Sequence, residues 1–545
     1  MPFSRSLGLG LLTIAAAALA GGVFGHRAVA NQDRLPEHYK TFTAALAAIE
    51  SRYVEPVESD RLVYGAISGM LQTLDPHSSF MDPRAYSQLR ERQEGRYYGL
   101  GIQIAVFDGD ITVQQLFEGS PAYKLGIRQG DIIARIAGED AKGWTTEQAV
   151  QKLRGPKGTT VQISIKRVGF DELITLEVPR DEINIPTIPA YFMVNGDVGY
   201  VRLQDFAEHT DRDLGRALED LTRQGMRKLL LDLRMNPGGP LDQAIKVTNR
   251  FLRRGELIVY TDGRVPNSDQ EFRATRDGEY LDLPIIVLVN RNSASASEIV
   301  SGALQDHDRA LIVGETTFGK ALVQSIYRVS EGAGLALTTA RYYTPSGRLI
   351  QRPWDNAFDE YLMYALRDQS TERQHDEKDL KYTDAGRKVY QGGGIEPDRR
   401  IEGPIEGFNP SRFGRTLYAR RLFSTFAQRF SVEGDTRFAK GNSQRRTVRP
   451  DFVVDDAILY AFRQHVLDSG MKIDEQAFAQ DLVFIKSMIR FDIDVALFGV
   501  ATARRHLIET DPQAQLALSL FDDAIKLTRL ARSTTVKRAA EPQQQ

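Results

Sequence analysis

The 545-residue sequence contains no cysteine, and this absence removes several classes of chemistry. Disulfides, thiolate metal sites and cysteine nucleophiles are all excluded, so any covalent catalysis must use another side chain. The formal net charge is only -2, from 70 basic and 72 acidic side chains, which gives no global field for nucleic acid or an anionic membrane surface. Partners must therefore be inferred from individual sites.

Long apolar runs are also absent, except near the amino terminus. Arg5 precedes an uncharged segment from Leu7 to Gly25, and Ala28-Val29-Ala30 fits the small-x-small pattern of a signal cleavage site. The segment is rich in Gly and Ala and only weakly apolar, which favours a cleaved signal over a retained membrane anchor. We therefore expect export to the periplasm or cell envelope, with membrane attachment only if residues 1–30 are retained.

The pattern of apolar residues, glycines and turn formers predicts four further segments. Helical periodicity runs over residues 31–94, although the turn formers in "LDPHSSFMDP" (Leu74 to Pro83) predict a loop. Short strands and glycine turns fill residues 95–180. Continuous apolar runs alternate with helices over 181–410, which is typical of parallel βαβ units in an α/β fold. Residues 411–545 are again helical, with Asp511 and Pro512 predicted to begin a helix.

The segment from 95 to 180 resembles a PDZ domain of exported proteases. The resemblance is carried by "YYGLGIQIAV" and by "GSPAYKLGIRQGDII", which follows one strand later. It implies that Gly99-Leu100-Gly101 presents backbone N–H groups to the terminal carboxylate of a peptide, while the strand beginning at Ile102 pairs with that peptide. Glycines suit such a loop because amides can converge on an anion without obstruction from Cβ.

Three serines alternate with alanines in "NRNSASASEIVSGALQD", after the apolar strand that ends at Val289. Ser293, Ser295 and Ser297 thus lie where a parallel strand ends and a helix begins. A nucleophile there would gain oxyanion stabilisation from the unpaired N–H groups and the positive end of the helix dipole. A helix N-cap would equally explain serine at this position.

A serine nucleophile needs a base, and the sequence offers a lysine rather than a histidine. His307 lies at the far end of the predicted helix, roughly 18 Å from Ser295 at 1.5 Å per residue. Lys320 instead follows "RALIVGE", a strand predicted to run parallel to "IIVLV" and to end at the same edge of the sheet. Gln324, four positions later, could orient the lysine amine.

Two backbone amides are candidates for an oxyanion hole. The strand "KLLLDL" is followed by Pro237-Gly238-Gly239, which we expect at the same edge as the serines. The N–H groups of Gly238 and Ala296 could then bind one oxyanion, each contributing on the order of 3 kcal/mol. A tight turn without a ligand would also require these glycines.

Taken together, "SASASEIVSGALQD", "GETTFGKALVQ", "LDLRMNPGG" and "TTARYYTPSGRLIQ" resemble the carboxy-terminal processing peptidases, a family of serine-lysine proteases. The resemblance spans about residues 39–410 and implies a ClpP/crotonase-like α/β core with an inserted PDZ domain. It assigns Ser295 as nucleophile, Lys320 as base, Gln324 as its orienting partner, and Gly238 and Ala296 as oxyanion donors. The family usually has Gly after the lysine, where this chain has Ala321.

We therefore predict an exported endopeptidase that cleaves protein substrates near their C-termini through an acyl-enzyme. The resemblance implies no metal or organic cofactor, PDZ binding of substrates with free C-termini, and helical flanking regions that support homo-oligomers or contact an adaptor protein. Two alternatives stay open. A non-catalytic PDZ scaffold would leave Lys320 without a purpose, and a crotonase-like acyl-thioester enzyme would give no reason for a PDZ insertion.

Overall fold

The computed structural model describes residues 35–167, 169–330, 332–354, 361–366, 375–401, 410–434 and 448–540. The chain forms two compact units, one from residues up to 82 together with 327–336, and one from 83–326 together with 337 onwards. The predicted leader at residues 1–30 lies outside the described residues. Among the helices within these ranges, none combines the length and apolar character needed to cross a membrane.

The first unit contains the helices Leu35–Arg52 and Ser59–Gln72 and the strand Ser79–Met81. This strand pairs antiparallel with residues 334–336, and the rings of Tyr64 and Phe80 lie 4.8 Å apart. The prediction that Leu74 to Pro83 is entirely a loop was therefore wrong. The strand depends on a partner about 250 residues away in sequence, and local turn propensity carries no information about such a partner.

The second unit begins with the helix Pro83–Glu94 and a PDZ-like segment. Its elements are β2 Arg96–Gly99, β3 Ile102–Phe107, β4 Asp110–Leu116, helix Pro121–Lys124, β5 Ile132–Ile136, β6 Glu139–Asp140, helix Thr146–Leu153, β7 Thr160–Lys166, β8 Ile174–Pro179 and β9 Asp181–Asn184. The main sheet has the strand order β3-β4-β5-β7-β8, with β6 beside β5. Strands β2 and β9 pair antiparallel in a separate two-stranded sheet.

A six-stranded sheet forms the centre of the α/β core. Its strands, in spatial order, are β10 (Ala190–Val194), β11 (Val198–Arg202), β12 (Lys228–Asp232), β15 (Ile285–Val289), β16 (Leu311–Gly314) and β21 (Arg399–Arg400). All neighbours from β11 to β21 are parallel, and only β10 is antiparallel. The predicted parallel pairing of "IIVLV" with the strand in "RALIVGE" is confirmed, so the segments after both strands begin at one edge of the sheet.

Alternate residues of these strands pack into two separate cores, as the period of two in a strand requires. One face carries Leu229, Leu231 and Val287 and is covered by the helices Thr210–Arg223, Leu241–Asn249 and Ala296–Asp306. The other face carries Leu230, Ile286 and Leu288. It is covered by apolar side chains of the C-terminal helices, namely Ile508, Ala514, Ala517, Phe521, Ala524 and Leu527.

The C-terminal region therefore divides between two packing roles. Within the described residues 412–434 and 448–498, helices form a cluster with its own core, in which Leu422, Phe423, Phe426 and Phe430 are buried. From Val500 onwards the helices cover the central sheet instead. The predicted helix start at Asp511-Pro512 is confirmed, because the Asp511 side chain accepts hydrogen bonds from the N–H groups of Gln513 and Ala514.

The bounds of the remaining described elements are as follows. The helices of the C-terminal region are Arg412–Ala419, Leu422–Gly434, Asp456–Asp468, Glu475–Gln480, Leu482–Phe498, Val500–Thr510, Pro512–Ser519 and Phe521–Ala540. The further strands are β13 Leu257–Asp262, β14 Gln270–Arg273, β17 Leu322–Ser330, β18 Ala333–Tyr343, β19 Leu380–Tyr382 and β20 Lys388–Tyr390, with the 3-10 helices Met363–Leu366 and Glu377–Asp379. Residues 327–336 of β17 and β18 belong to the first unit. The α/β class with helical N- and C-terminal regions is thus confirmed.

Candidate active site

The three serines after strand β15 differ in their burial and in their hydrogen bonds. Ser293 and Ser297 are wholly buried, and each hydroxyl donates to a backbone carbonyl, that of Leu233 at 2.9 Å and that of Asn236 at 3.0 Å respectively. Ser295 is partly exposed at the start of the helix Ala296–Asp306. Two of the serines therefore hold the loop in place, whereas the third faces accessible space.

Ser295 also has a strained backbone, with φ of 54° and ψ of -113°. Residues without glycine's freedom rarely adopt positive φ, and such a conformation costs on the order of 1–3 kcal/mol. Surrounding contacts must hold it in place. The Ser295 N–H donates to the Oε2 atom of Glu298 at 2.7 Å, which ties the strained residue to the first turn of the helix that it begins.

The buried carboxylate of Glu298 connects the serine to the lysine segment. Its Oε2 atom accepts hydrogen bonds from the N–H of Ser295 at 2.7 Å and of Lys320 at 2.9 Å. Its Oε1 atom accepts from Thr317 Oγ1 at 2.5 Å and from the Gly319 N–H at 2.7 Å. Burial raises the pKa of Glu298, and these four donors oppose that rise. One carboxylate thus fixes the backbones of the predicted nucleophile and the predicted base next to each other.

Tyr342 makes a second connection between the same two residues. Its hydroxyl lies 2.5 Å from the carbonyl oxygen of Lys320 and 3.2 Å from that of Ser295. The side chain is 1% exposed, and burial raises its pKa well above the ordinary value, so it remains a neutral hydrogen-bond donor. The backbones of Ser295 and Lys320 are therefore joined through both their N–H and their C=O groups.

The predicted orienting contact of the lysine is present. Lys320 Nζ donates to Oε1 of Gln324 at 3.2 Å, and both side chains are partly buried. Lys320 lies two residues before the strand Leu322–Ser330, and Gln324 lies within that strand. Because one N–H bond of the Lys320 amine points at Oε1 of Gln324, the rest of the amine is turned away from Gln324.

The two predicted oxyanion donors lie beside the serine, but one of them is already engaged. A Cβ atom added to Gly238 would be 2.8 Å from Ser295 Cβ and 2.9 Å from Ala296 N. Ala296 is the first residue of its helix, so its N–H has no acceptor within that helix. The N–H of Gly238, in contrast, donates to Oδ1 of Asn236 at 2.9 Å. Gly238 could bind an oxyanion only if this hydrogen bond opened.

His307 lies away from this arrangement, as the helix length predicted. His307 caps the opposite end of the helix Ala296–Asp306, where its ring contacts the Asp384 carboxylate at 2.8 Å and the Leu257 carbonyl at 2.7 Å. In the described part of the chain, no group of three or more His, Asp or Glu side chains could hold a metal ion. The absence of a cofactor stays a prediction.

The predicted peptide-binding loop lies just before a strand that is paired on one side only. Strand β3 pairs with β4 on one side, and no other described strand pairs with it. Gly101 has φ of 82°, and its carbonyl accepts from the Phe117 N–H at 3.0 Å. Leu100 is 2% exposed and packs in the core of the segment. Gly99 ends strand β2 and Ile102 begins β3, so the free edge starts at the predicted loop.

Sequence reasoning missed Glu298 and Tyr342. Glu298 had a readable signal, because serine followed three residues later by glutamate is the spacing of a capping box at a helix start. Tyr342 had none, because its contacts come from a strand that returns to the site from elsewhere in the fold. The roles assigned to Ser295, Lys320, Gln324, Gly238 and Ala296, and to the PDZ-like loop, stay predictions.

Family models match three parts of the chain. The model of peptidase family S41 matches residues 197–354, and that of the PDZ domain matches residues 88–166. The model described as the activating protease CtpB N-terminal domain matches residues 22–85. The predicted family and the presence of a PDZ domain are confirmed by these matches, while the exact limits of the predicted segments stay predictions.

Two carboxy-terminal processing proteases are similar to this chain over about three quarters of their own length. The carboxy-terminal-processing protease of Bartonella bacilliformis is 42% identical over 325 residues, which are 59% of this chain and 74% of that protein. The carboxy-terminal processing protease CtpA of Bacillus subtilis is 33% identical over 346 residues, which are 63% of this chain and 73% of that protein. Among solved structures, the photosystem II D1 C-terminal processing protease is 28% identical, with a TM-score of 0.34 over 66% of this chain and 86% of that one.

Proposed function

This chain belongs to the carboxy-terminal processing protease family, and from that premise we propose that it is an exported serine endopeptidase with a Ser-Lys catalytic pair. It cleaves protein substrates near their C-termini. One observation carries the proposal. The partly exposed, strained Ser295 at a helix start is tied by a single buried carboxylate, Glu298, to the backbone of Lys320.

The chemistry follows from this placement. Lys320, in its neutral form, takes the hydroxyl proton of Ser295 as the oxygen attacks the scissile carbonyl carbon. Gln324 orients the amine through its Oε1 atom. The oxyanion that forms faces the Ala296 N–H and, once the Asn236 hydrogen bond opens, the N–H of Gly238.

The reaction then completes in two stages. The protonated lysine returns the proton to the departing amine as the C–N bond breaks, which leaves an ester between Ser295 and the new C-terminus of the substrate. Water, deprotonated by the lysine, attacks that ester, and the proton returns to the serine oxygen. Each stage uses the same base and the same oxyanion donors, so no further group is required.

Substrate selection is assigned to the PDZ domain. The edge of strand β3 is free to pair with an extended peptide, and the loop Gly99-Leu100-Gly101 receives the terminal carboxylate. A similar solved structure, 28% identical over 16% of this chain, is the PDZ domain of a carboxy-terminal protease from Vibrio cholerae in complex with peptide. Export rests on the leader-like residues 1–30, and it places the enzyme in the periplasm or cell envelope.

The proposal is tested with an unstructured protein of apolar C-terminus as substrate. We expect wild type to cleave it and Ser295→Ala and Lys320→Ala to leave it intact, with products mapped by mass spectrometry. The matched controls are Ser301→Ala, which removes a hydroxyl within the same helix, and Lys246→Ala, which removes an exposed amine paired with Asp242. Both controls should cleave.

Peptide binding separates a protease from a scaffold. Ser295→Ala should still bind a fluorescent peptide that carries the substrate's C-terminus, because the PDZ loop is unchanged. A wild-type protein that binds this peptide but cleaves nothing would contradict the peptidase and favour a PDZ scaffold. Full activity of Lys320→Ala would show that another group is the base.

A further inference from the structure

The C-terminal helical region supplies one carboxylate to a buried chain of ion pairs. Asp511 Oδ2 lies 2.7 Å from Arg234 Nη1, and Arg234 Nη2 lies 2.7 Å from Oδ2 of Asp232. Asp511 and Asp232 are 4% and 1% exposed, so these charges are largely shielded from water. A buried ion pair that loses one partner leaves an uncompensated charge, which the surrounding structure must accommodate by moving.

Arg234 begins the glycine loop, which we define as residues 234–239. The loop is bonded to the serine segment at several points. The carbonyl of Asn236 accepts from the Ala294 N–H and from Ser297 Oγ, both at 3.0 Å. Gly238 then lies directly against Ser295 and Ala296. A displacement of Arg234 therefore passes along only four residues before it reaches a predicted oxyanion donor.

We propose that Asp511 is a positioning residue for peptide-bond hydrolysis, acting through Arg234 on the glycine loop. This inference rests on the proposed Ser-Lys peptidase function. It gives the helices after Val500 a part in the reaction, because they supply the charge that holds the loop beside the nucleophile.

The charges around Arg234 explain why Asp511 is needed. Asp232 is already shared, since it accepts from Arg202 Nη1 at 2.8 Å and from the Tyr200 hydroxyl at 2.8 Å. The guanidinium of Arg504 adds a further positive charge near the same group, and Asp232 alone cannot balance three arginines. Without Asp511, Arg234 would keep only two acceptors. One is the Asp232 carboxylate, which it shares with Arg202 and Tyr200, and the other is the neutral Oε1 of Gln513, which lies 2.9 Å from Nη1 of Arg234.

Asparagine at position 511 removes the charge and keeps the helix start. Asp511 Oδ1 accepts from the N–H groups of Gln513 at 2.9 Å and Ala514 at 3.2 Å, while Oδ2 alone contacts Arg234. Asn caps helices about as well as Asp. In Asp511→Asn the amide oxygen can therefore retain the cap, and the amide nitrogen faces the arginine.

The experiment compares kcat and KM of the full-length chain on the unstructured substrate. We expect Asp511→Asn to lower kcat by roughly 10- to 100-fold with little change in KM, because the loop is displaced by a fraction of an ångström while the PDZ domain is untouched. The control is Asp474→Asn, since Asp474 caps the helix Glu475–Gln480 through the Ala477 N–H without an arginine partner in its capping contact. It should leave kcat unchanged.

A double-mutant cycle tests whether Asp511 acts through Arg234. In the Arg234→Gln background the positive charge is already absent. Adding Asp511→Asn then removes only the negative charge that paired with it, so it should cause no further loss of kcat. A further fall would overturn the inference, and so would an Asp511→Asn enzyme with the kcat of Asp474→Asn. If the single variant does not give a cooperative thermal transition, the comparison within the Arg234→Gln background decides the question.

The peptidase function and the positioning role of Asp511 are tested separately. If wild type shows no turnover that Ser295→Ala abolishes, the peptidase proposal fails and Asp511 has no reaction to influence. If wild type turns over substrate and Ser295→Ala does not, the catalytic pair stands, and the kcat of Asp511→Asn alone judges the positioning role.

Discussion

At the scale of single residues, the candidate site is held together by one carboxylate with four donors. Oε1 of Glu298 accepts hydrogen bonds from Thr317 and Gly319, and Oε2 accepts from Ser295 and Lys320, so three of the four donors come from the segment that carries Lys320. Both oxygens must therefore act as acceptors. A side chain with one acceptor and one donor end cannot satisfy both pairs, whichever way it is turned.

Glu298→Gln should therefore reduce both activity and stability. Its amide nitrogen would face two N–H or O–H donors, at a cost of about 1–3 kcal/mol in the free energy of unfolding. We expect kcat to fall by about 10- to 100-fold as Ser295 and Lys320 move apart. Urea unfolding and proteolysis of the unstructured substrate measure the two effects. Glu315→Gln, which breaks the contact with Arg291 at 2.9 Å, is the control and should retain most activity.

The backbone accommodates Ala321 at the position after the lysine, where the family usually has Gly. The residue is wholly buried, and it is absent from the positions with positive φ, so no glycine is required there. Ala321→Gly should lower the free energy of unfolding by about 1–2 kcal/mol, through chain entropy and the loss of a buried methyl group, and should leave kcat nearly unchanged. A clear gain in kcat would mean that the methyl group restricts Lys320.

At the scale of elements, the sequence allowed the site to be placed by topology. Ser295 and Lys320 follow two neighbouring parallel strands, and parallel strands must end at one edge, so their proximity could be predicted without coordinates. The strand Ser79–Met81 and the hydroxyl of Tyr342 could not be predicted in this way. Both depend on antiparallel partners or contacts set by the tertiary fold, and nothing in the local sequence specifies them.

The glycine loop offers a matched pair of substitutions. Gly238 and Gly225 have φ of 99° and 96°, so alanine costs about 1–3 kcal/mol of strain at either position. At Gly225 nothing lies within 4 Å of the added Cβ, whereas at Gly238 it meets Ala294 O and Ser295 Cβ at 2.8 Å. We expect Gly238→Ala alone to abolish cleavage, by at least about 100-fold in kcat. Equal activities of the two variants would show that Gly238 is only a turn residue.

At the scale of the whole molecule, the PDZ domain packs against the C-terminal helical cluster. The guanidinium of Arg421 lies 3.9 Å from the centroid of the Phe107 ring, and a Cβ at Gly130 would overlap the Gln428 side chain. Near Arg421 lies the partly buried carboxyl group of Asp492. Burial raises the pKa of Asp492 from 3.8 to about 7, and Arg421 only partly opposes this. The packing of the cluster is thus linked to pH.

Asp492→Asn should stabilise the protein in a pH-dependent way. An acid whose pKa is raised on folding contributes stability below its unfolded pKa, and that stability is lost as the pH rises through the folded value near 7. The variant should therefore exceed wild type by on the order of 2–4 kcal/mol above about pH 8, and the gap should shrink towards pH 5. Thermal unfolding across this range measures it, with the exposed Asp456→Asn as control. A gap that does not depend on pH would contradict the assignment.

Because the central sheet is covered on both faces, its core is complete only once the C-terminal helices are present. A polypeptide that emerges amino terminus first exposes Leu230, Ile286 and Leu288 until the helices beyond Val500 have followed, because those helices form the second wall of the core. In the exported peptidase proposed above, activity should then arise only after the residues beyond Val500 have been translocated. A chain cut after Gly499 that is recovered folded and active would refute this timing.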